Sequence, residues 1–371
     1  MEDVTKMKAQ DFTKELRSIV QLLDATRAGH QNQRPVDISL SELVTNRYGL
    51  SIQDYYDKIG INPKKDTMQN IFTMPDPNIR WIVPEIIRDA IYLGIKEAPF
   101  YPNLISSDQA INGLQAIMPM INPSDAAPAR VNEAETIPLG DVSFGQKSLR
   151  LFKIGKGFKI TEEVKNYVSL DVMAIFIRDF GIQLGYALDT LAMDVLINGN
   201  QADGSESAPV IGVNTTAEGI TYKDLLRTWV RGSRLGRVFR TLIGDESAAI
   251  DILDLPEFKI RMYGQPQSTM NLKTPVPSSS DFYIHPGVPE NNVLLVDPRS
   301  ALIKLTARQL MIESEKIVSN QTEAVYATIT TGFSKMYRDA SILIDSTKEF
   351  STNGFPEWMN IDPYITVNIE Q

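Results

Sequence analysis

Cysteine is absent from the chain of 371 residues, and histidine occurs only twice, as His30 and His285. The first absence excludes disulfide stapling and thiolate metal sites. The second leaves little imidazole for acid–base work, and both histidines fall in loop-like sequence, where a solvated or hydrogen-bonded ring is expected. Positive charge is also short: a formal net charge of -9 argues against a nucleic-acid binder that works through a bulk basic surface, though one locally basic face stays compatible with it. No run reaches the ~18 uninterrupted apolar residues of a membrane helix. The start, Met1-Glu2-Asp3-Val4, lacks the basic and apolar regions of a signal peptide, so a soluble, cytoplasm-made chain is expected.

Catalytic patterns are missing as well. No serine sits in a nucleophile elbow, and no HExxH or aspartate-rich calcium loop occurs, so neither an enzyme nor a cofactor or metal site is expected. Gly140 to Ser148 imitates a phosphate-binding loop, but Gln146 intervenes before Lys147, and the segment reads on as strand instead of entering a helix.

What is present is long-range geometry. Residues 134–213 run through an alternating extended segment (Val142, Phe144, Gln146, Ser148, Arg150, Phe152), a Gly155-Lys156-Gly157 pivot, a long helix and a polar glycine-rich loop. Leu149 and Leu151 take the other parity, so such a strand suits lying over a neighbour. Thr161, Ser169 and Asp171 are candidate caps, and Glu162-Glu163 reads as helix N-terminal charge favoured by the macrodipole. The helix, from about Leu170 to Asn198, carries Val172, Phe176, Phe180, Leu184, Leu188, Leu191 and Val195 as its buried stripe and would be about 43 Å long. Gly199 is placed to cap it. Gly181 and Gly185 within it predict the close approach of another element, at a cost of ~1 kcal/mol each relative to alanine.

Elsewhere, a short amphipathic helix is expected over Asp11 to Leu23, and a second through Leu43 and Tyr48, capped by Ser39, Ser41 or Asp37. Lys58 to Pro77, rich in turn residues, reads as a linker. Trp81 to Arg88 leads into a helix ending near Gly94. Ala116 to Val131 forms an outgoing arm that pairs with the alternating segment in a long hairpin, tip at Asn132 to Asp141. A compact α+β region follows: a helix from Thr221 to about Arg234, a strand at Val238 to Ile243, a helix at Glu246 to Leu253 and strands near Val293 to Val296. Late strands are expected at Ile317 to Val318, Ala324 to Thr331, Ser334 to Ile344 and Tyr364 to Ile369, with bends at Thr331-Gly332 and Asn353-Gly354.

Arg227, Arg231, Arg234, Arg237 and Arg240 form the one basic cluster. They suit either a solvated face paired with Asp224, Asp245 and Glu246, or a salt-bridged subunit contact.

The run from Glu135-Thr136-Ile137-Pro138 through Lys153-Ile154-Gly155-Lys156-Gly157-Phe158, the long helix ending Asp194-Val195-Leu196-Ile197-Asn198-Gly199-Asn200, and Pro209-Val210-Ile211-Gly212 together resemble tailed-bacteriophage major capsid proteins of the Hong Kong 97 type. Leu294-Leu295-Val296-Asp297-Pro298-Arg299 and Gly332-Phe333-Ser334 to Leu343 extend the resemblance over about residues 75–345. It implies an α+β fold of the Hong Kong 97 type: an N-terminal helical arm (1–75), a peripheral domain (76–211) with an extended loop (about 116–160) and spine helix (about 170–198), an axial domain (212–320), and peripheral return strands with a C-terminal extension (321–371).

The resemblance further implies a virion protein assembled in the host bacterial cytoplasm. Its partners would be itself, as hexamers and pentamers, then scaffolding, portal and possibly decoration proteins, and packaged double-stranded DNA met non-specifically at the inner surface, with no membrane. Phe144, Lys147, Arg150, Phe152 and the five arginines are the expected subunit contacts, and Gly155 and Gly157 the expected hinge. Some members of the family crosslink a loop lysine to a neighbour's asparagine. Lys147, Lys153 and Lys156 occupy that region here, and no crosslink is expected; an uncleaved arm is. The alternatives are an encapsulin-like shell, a hydrolytic or nucleotide-dependent enzyme, and a tail or portal ring component.

Overall fold

The computed structural model describes residues 14, 15, 17, 18, 21, 39–75, 79, 82–97, 99–111, 113, 115–121, 133, 142–200, 205–213, 220–234, 237–255, 281–335, 337–348 and 351–353. His30, most of the helix expected at Asp11 to Leu23, the hairpin tip, the Asn353-Gly354 turn and the strand expected at Tyr364 to Ile369 lie outside the described residues.

Three short helices come first: α1 (Leu40–Tyr48), α2 (Ile52–Ile59) and α3 (Met68–Thr73). Ser39 caps α1 in a reciprocal box with Glu42, and Gly49 and Gly60 end α1 and α2 in the left-handed conformation that glycine takes without strain. The segment expected as a linker is instead packed: Ile59, Ile61, Met68 and Ile71 are buried. Its carbonyls also do the work of a cap. Leu170 N donates to Asp66 O and Asp171 N to Pro63 O, each at 3.0 Å, which satisfies first-turn amides of the next long helix, whose own Ser169 makes no side-chain cap. The prolines that suggested a linker serve to turn the chain back onto that helix end.

Helix α4 (Ile82–Glu97) crosses the spine; α5 (Glu162–Tyr167) leads into the spine itself, α6 (Leu170–Asn198). A Cβ built on Gly181 would lie 2.3 Å from Ile91 O, and one on Gly94 2.2 Å from Arg178 O, so the two backbones are in contact where they cross. The close approach expected at Gly181 is therefore helix on helix, with Gly94 as its counterpart. The buried face differs from the expected stripe at its start: Met173 and Ile177 are buried, whereas Val172 and Phe176 are 44% and 71% exposed. Steps of four residues drift about 40° each around a helix of 3.6 residues per turn, so a stripe extrapolated backward from Phe180 leaves the core. By length and composition α6 could cross a membrane, but 61% of its most apolar window is buried inside this fold.

Two sheets flank the spine. The first has the order β1 (Ile105–Ala110), β9 (Leu302–Ile317), β10 (Thr322–Lys335), β4 (Phe152–Thr161). The second has the order β12 (Ser351–Asn353), β5 (Val210–Gly212), β11 (Ser341–Asp345), β8 (Asn292–Val296), β6 (Thr241–Gly244), β7 (Asp281–Ile284). Leu294, Val296, Ile243 and Leu343 face the spine, while Val293, Leu295, Leu242 and Ile342 face a separate core under α7 (Tyr222–Arg234) and α8 (Glu246–Asp254). Burial on both faces explains why these strands read as continuous apolar runs instead of alternating ones.

The sheets do not follow chain order. β9, expected within 212–320, belongs to the first sheet, and β11, expected among the return strands, is central in the second. The bend expected at Thr331-Gly332 is absent, since β10 runs through it. The chain turns instead at Arg338–Ala340, where buried Asp339 binds Arg237.

The glycine crossing predicts a sign. Gly→Ala at an exposed helix position stabilises by up to ~1 kcal/mol; Gly181→Ala should instead lower the denaturation midpoint, and Gly181→Val should cost upwards of ~2 kcal/mol by overpacking, both measurable in urea.

Candidate subunit-contact surfaces

The expected hairpin exists as a separate two-stranded sheet, β2 (Gln115–Ile121) against β3 (Val142–Arg150), with Gln115 opposite Arg150 and Ile121 opposite Val142. Between Ile117 and Pro119 the register advances two residues on β2 but four on β3. Gly145, Gln146 and Lys147 thus form a bulge, and Lys147 has no partner across the ladder, whereas Phe144 and Arg150 are in register. Leu149 and Leu151 bury against Ile303 and Leu305 and pin the hairpin's base to β9. Phe152 is not on the hairpin; it opens β4 opposite Thr331 and is 49% exposed.

Gly155 and Gly157 do not interrupt the chain. Both lie inside β4, paired with Thr328 and Tyr326 of β10. A Cβ on Gly157 would meet Tyr326 Cδ1 at 2.6 Å, and one on Gly155 would meet Thr328 Cγ2 at 2.7 Å. The glycines make room for cross-strand side chains to lie over the backbone, an arrangement that fixes register and offsets the glycine's missing packing. The break in direction falls at Leu151, between β3 and β4, which the glycine-based reading overlooked.

The arginines divide. Arg237 is turned into the molecule: Nε and Nη2 donate to the two carboxylate oxygens of Asp339 at 2.8 and 3.0 Å, Nη1 donates to Ser300, and the guanidinium stacks on Tyr337 at 4.5 Å. A fork so fully used within the chain is a brace for the Arg338–Ala340 turn, not a subunit contact. Arg227 pairs with Asp224 at 3.1 Å along α7. Arg240 is exposed beside β6, and α7 carries Arg231 and Arg234.

A surface absent from the sequence reading is more prominent. Val164, Tyr167, Val172, Ile175 and Phe176 are exposed apolar side chains within thirteen residues, Tyr167 at 84%. Val164 and Phe176 also line a groove of about 520 Å³ formed by Lys156 to Thr161 of β4 and by Met173, Ile177 and Phe180 of α6. Exposed apolar side chains in such number make this a candidate contact surface. The signal was available: α6 has apolar residues at 172, 173, 175, 176 and 177, more than one buried face can hold.

Titratable groups are structural. Asp189, fully buried on α6, accepts from Tyr101 N at 2.9 Å and ties the spine to the turn after α4; burial pushes its carboxyl up to about 6. Lys335 donates to Leu196 O at 3.2 Å near the C-terminal end of α6, and burial brings its ammonium down to about 7. His285 Nδ1 accepts from Gly287 N at 3.0 Å, and burial lowers its pKa, so the ring is a neutral, packed loop residue. Among the described residues no group of three metal-ligating side chains is present.

No protein-family model and no curated protein sequence matches the chain. Solved structures do. A chain from Microbacterium phage Oxtober96 superposes with a TM-score of 0.51 at 11% identity, covering 67% of this chain and 91% of that one. The virus-like particle from Pyrococcus furiosus gives 0.48 at 12% identity, with 70% and 98% covered, and the holo-SrpI encapsulin complex from Synechococcus elongatus PCC 7942 gives 0.46 at 9%, with 70% and 91%. The arrangement of arm, hairpin, spine helix and two sheets is that of the Hong Kong 97-type capsid fold.

Two tests follow from these geometries. Gly157→Val should destabilise the isolated subunit, and adding Tyr326→Ala should recover a good part of the loss; full stability of the single variant would contradict the packing role. For Asp189 the folded pKa of about 6 lies above the unfolded value of ~3.9. Its contribution is therefore fully present below about pH 4 and lost as pH rises through 6, a change on the order of 1–3 kcal/mol. Asp189→Asn should flatten the stability profile in that window.

Proposed function

We propose that the chain is the major capsid protein of a tailed phage, and that its copies assemble through hexamers and pentamers into an icosahedral shell around double-stranded DNA. The observation that carries the reading is the hairpin: among the described residues β2 and β3 pair with no third strand. A lone two-stranded ladder is marginal in water, so a neighbouring copy is the natural source of its missing layer. Exposed Tyr167, Val172 and Ile175 on α5 and α6, which lie outside the groove lining, support the same conclusion, because a second protein surface is what such side chains bury against. The fold shared with the Oxtober96 phage chain favours a phage shell.

On this reading function resides in contacts between copies and not in catalysis. Phe144, Lys147, Arg150, Phe152, Arg227, Arg231, Arg234 and Arg240 remain proposed contacts. Scaffolding, portal and decoration proteins are the expected partners, DNA is met at the inner surface, and the virion is the destination after assembly in the bacterial cytoplasm.

Electron microscopy of the purified protein tests the proposal directly. Closed shells are expected, and particles from infected cells should absorb strongly at 260 nm; shells that hold protein without nucleic acid would identify an encapsulin-like compartment, and single rings a portal or tail component. Covalent crosslinking is not expected, so denatured particles should run as single subunits in electrophoresis.

A further inference from the structure

The groove beside the spine has the geometry of a vacant strand position. β4 is an outer strand, bounded by β10 on one side and by no described strand on the other, so alternate backbone amides and carbonyls of Phe152–Thr161 point outward. Consecutive residues of β4, Lys156 to Thr161, line the groove together with α6, which means that it opens along the strand's edge and not under one face. Beyond the bridge from Lys156 Nζ to Gln183, a second hollow of about 480 Å³ continues past Ile154, Leu191 and Asp194 to Asn198. From Met173 to Asn198 the helix rises roughly 38 Å, room for about eleven residues of extended chain.

One end of this channel is where the chain leaves the second sheet. Asn353 of β12 pairs with Val210, and Ala208 N donates to Ile197 O at 2.8 Å, so β12 ends beside the C-terminal end of α6. The 18 residues of 354–371 can extend about 60 Å, more than the channel needs. Their composition fits it. Ile365, Val367 and Ile369 alternate with Thr366, Asn368 and Glu370, the period of a strand with one apolar face. Glu357, Asp362 and Glu370 are acidic and the segment has no lysine or arginine, while β4 carries Lys153, Lys156 and Lys159 and no acid.

We infer that Tyr364–Glu370 of the same chain adds to the first sheet as a fifth strand, parallel to β4. Ile365, Val367 and Ile369 would then cover Phe176 and Met173, and the acidic residues would sit among the three lysines. Ten residues, 354–363, are more than enough to carry the chain from the end of α6 to the Lys156–Gln183 end of the groove, so Tyr364–Glu370 can run beside Lys156–Thr161. The inference concerns the subunit alone and does not depend on the shell.

A cysteine-free chain makes the test clean. Full-length Phe176→Cys/Val367→Cys, equilibrated with oxidised glutathione, should form an intramolecular disulfide, two thiols being oxidised as glutathione disulfide is reduced to thiols. The product should migrate as a fast monomer on non-reducing gels, with the expected linked peptide in a digest, while Ile250→Cys/Val367→Cys should not link. Absence of the link overturns the inference, and so does a link found only between copies, which would give the groove to a second chain. Independently, Ile365→Asp/Val367→Asp/Ile369→Asp should raise binding of an apolar fluorescent dye several-fold; unchanged dye binding would count against the inference.

Discussion

Backbone contact between α4 and α6 at Gly94 and Gly181 is the constraint on which the rest of the subunit depends. Helix axes normally stand 8–10 Å apart, at a distance set by the side chains between them; two glycines at the crossing remove that spacer. The gain is that α4, the turn at Tyr101–Leu104 and the base of β1 are all held close against one helix. Asp189 reinforces the arrangement by accepting from the Tyr101 amide, and Lys335 and Ser341 donate to the Leu196 carbonyl near the far end. The spine is thus held at its first turn by the carbonyls of Asp66 and Pro63, in the middle by backbone packing, and in its C-terminal third by buried polar contacts.

With the spine fixed, the sheets divide the labour. The second sheet is covered on both faces, by the spine and by α7 and α8, and so has no free face for a partner. Among the described residues the first sheet ends in β4, and the hairpin leaves it through a single residue, Leu151, whose neighbours Leu149, Ile303 and Leu305 make a small core of their own. The surfaces proposed for contact between copies are therefore the hairpin and the outer side of α5 and α6. Rigid interior and adhesive rim are separated along one strand edge.

Much of this was legible before the coordinates. The α+β class, the hairpin, the helix from Leu170 to Asn198 and the neighbour implied by Gly181 all followed from local patterns that tertiary packing had no reason to override. The contact residues were less legible. Phe144 and Arg150 stand on the hairpin as expected, but Phe152 opens a different sheet and Arg237 is spent on Asp339, a partner 102 positions away that no spacing rule connects to it. Gly155 and Gly157 resembled a pivot because sequence shows a missing side chain but not the Tyr326 and Thr328 that fill its place.

The sequence by itself determined periodicity: which stretches are helical or extended. Only the tertiary structure decided allocation. It assigned β9 and β11 to their sheets, turned Val172 and Phe176 outward while Met173 and Ile177 went in, and made a proline-rich stretch the cap of the spine. The physical reason is that periodicity is set by neighbours along the chain, whereas which of two apolar faces is buried depends on what crosses it, and here that choice was made by α4 at Gly94.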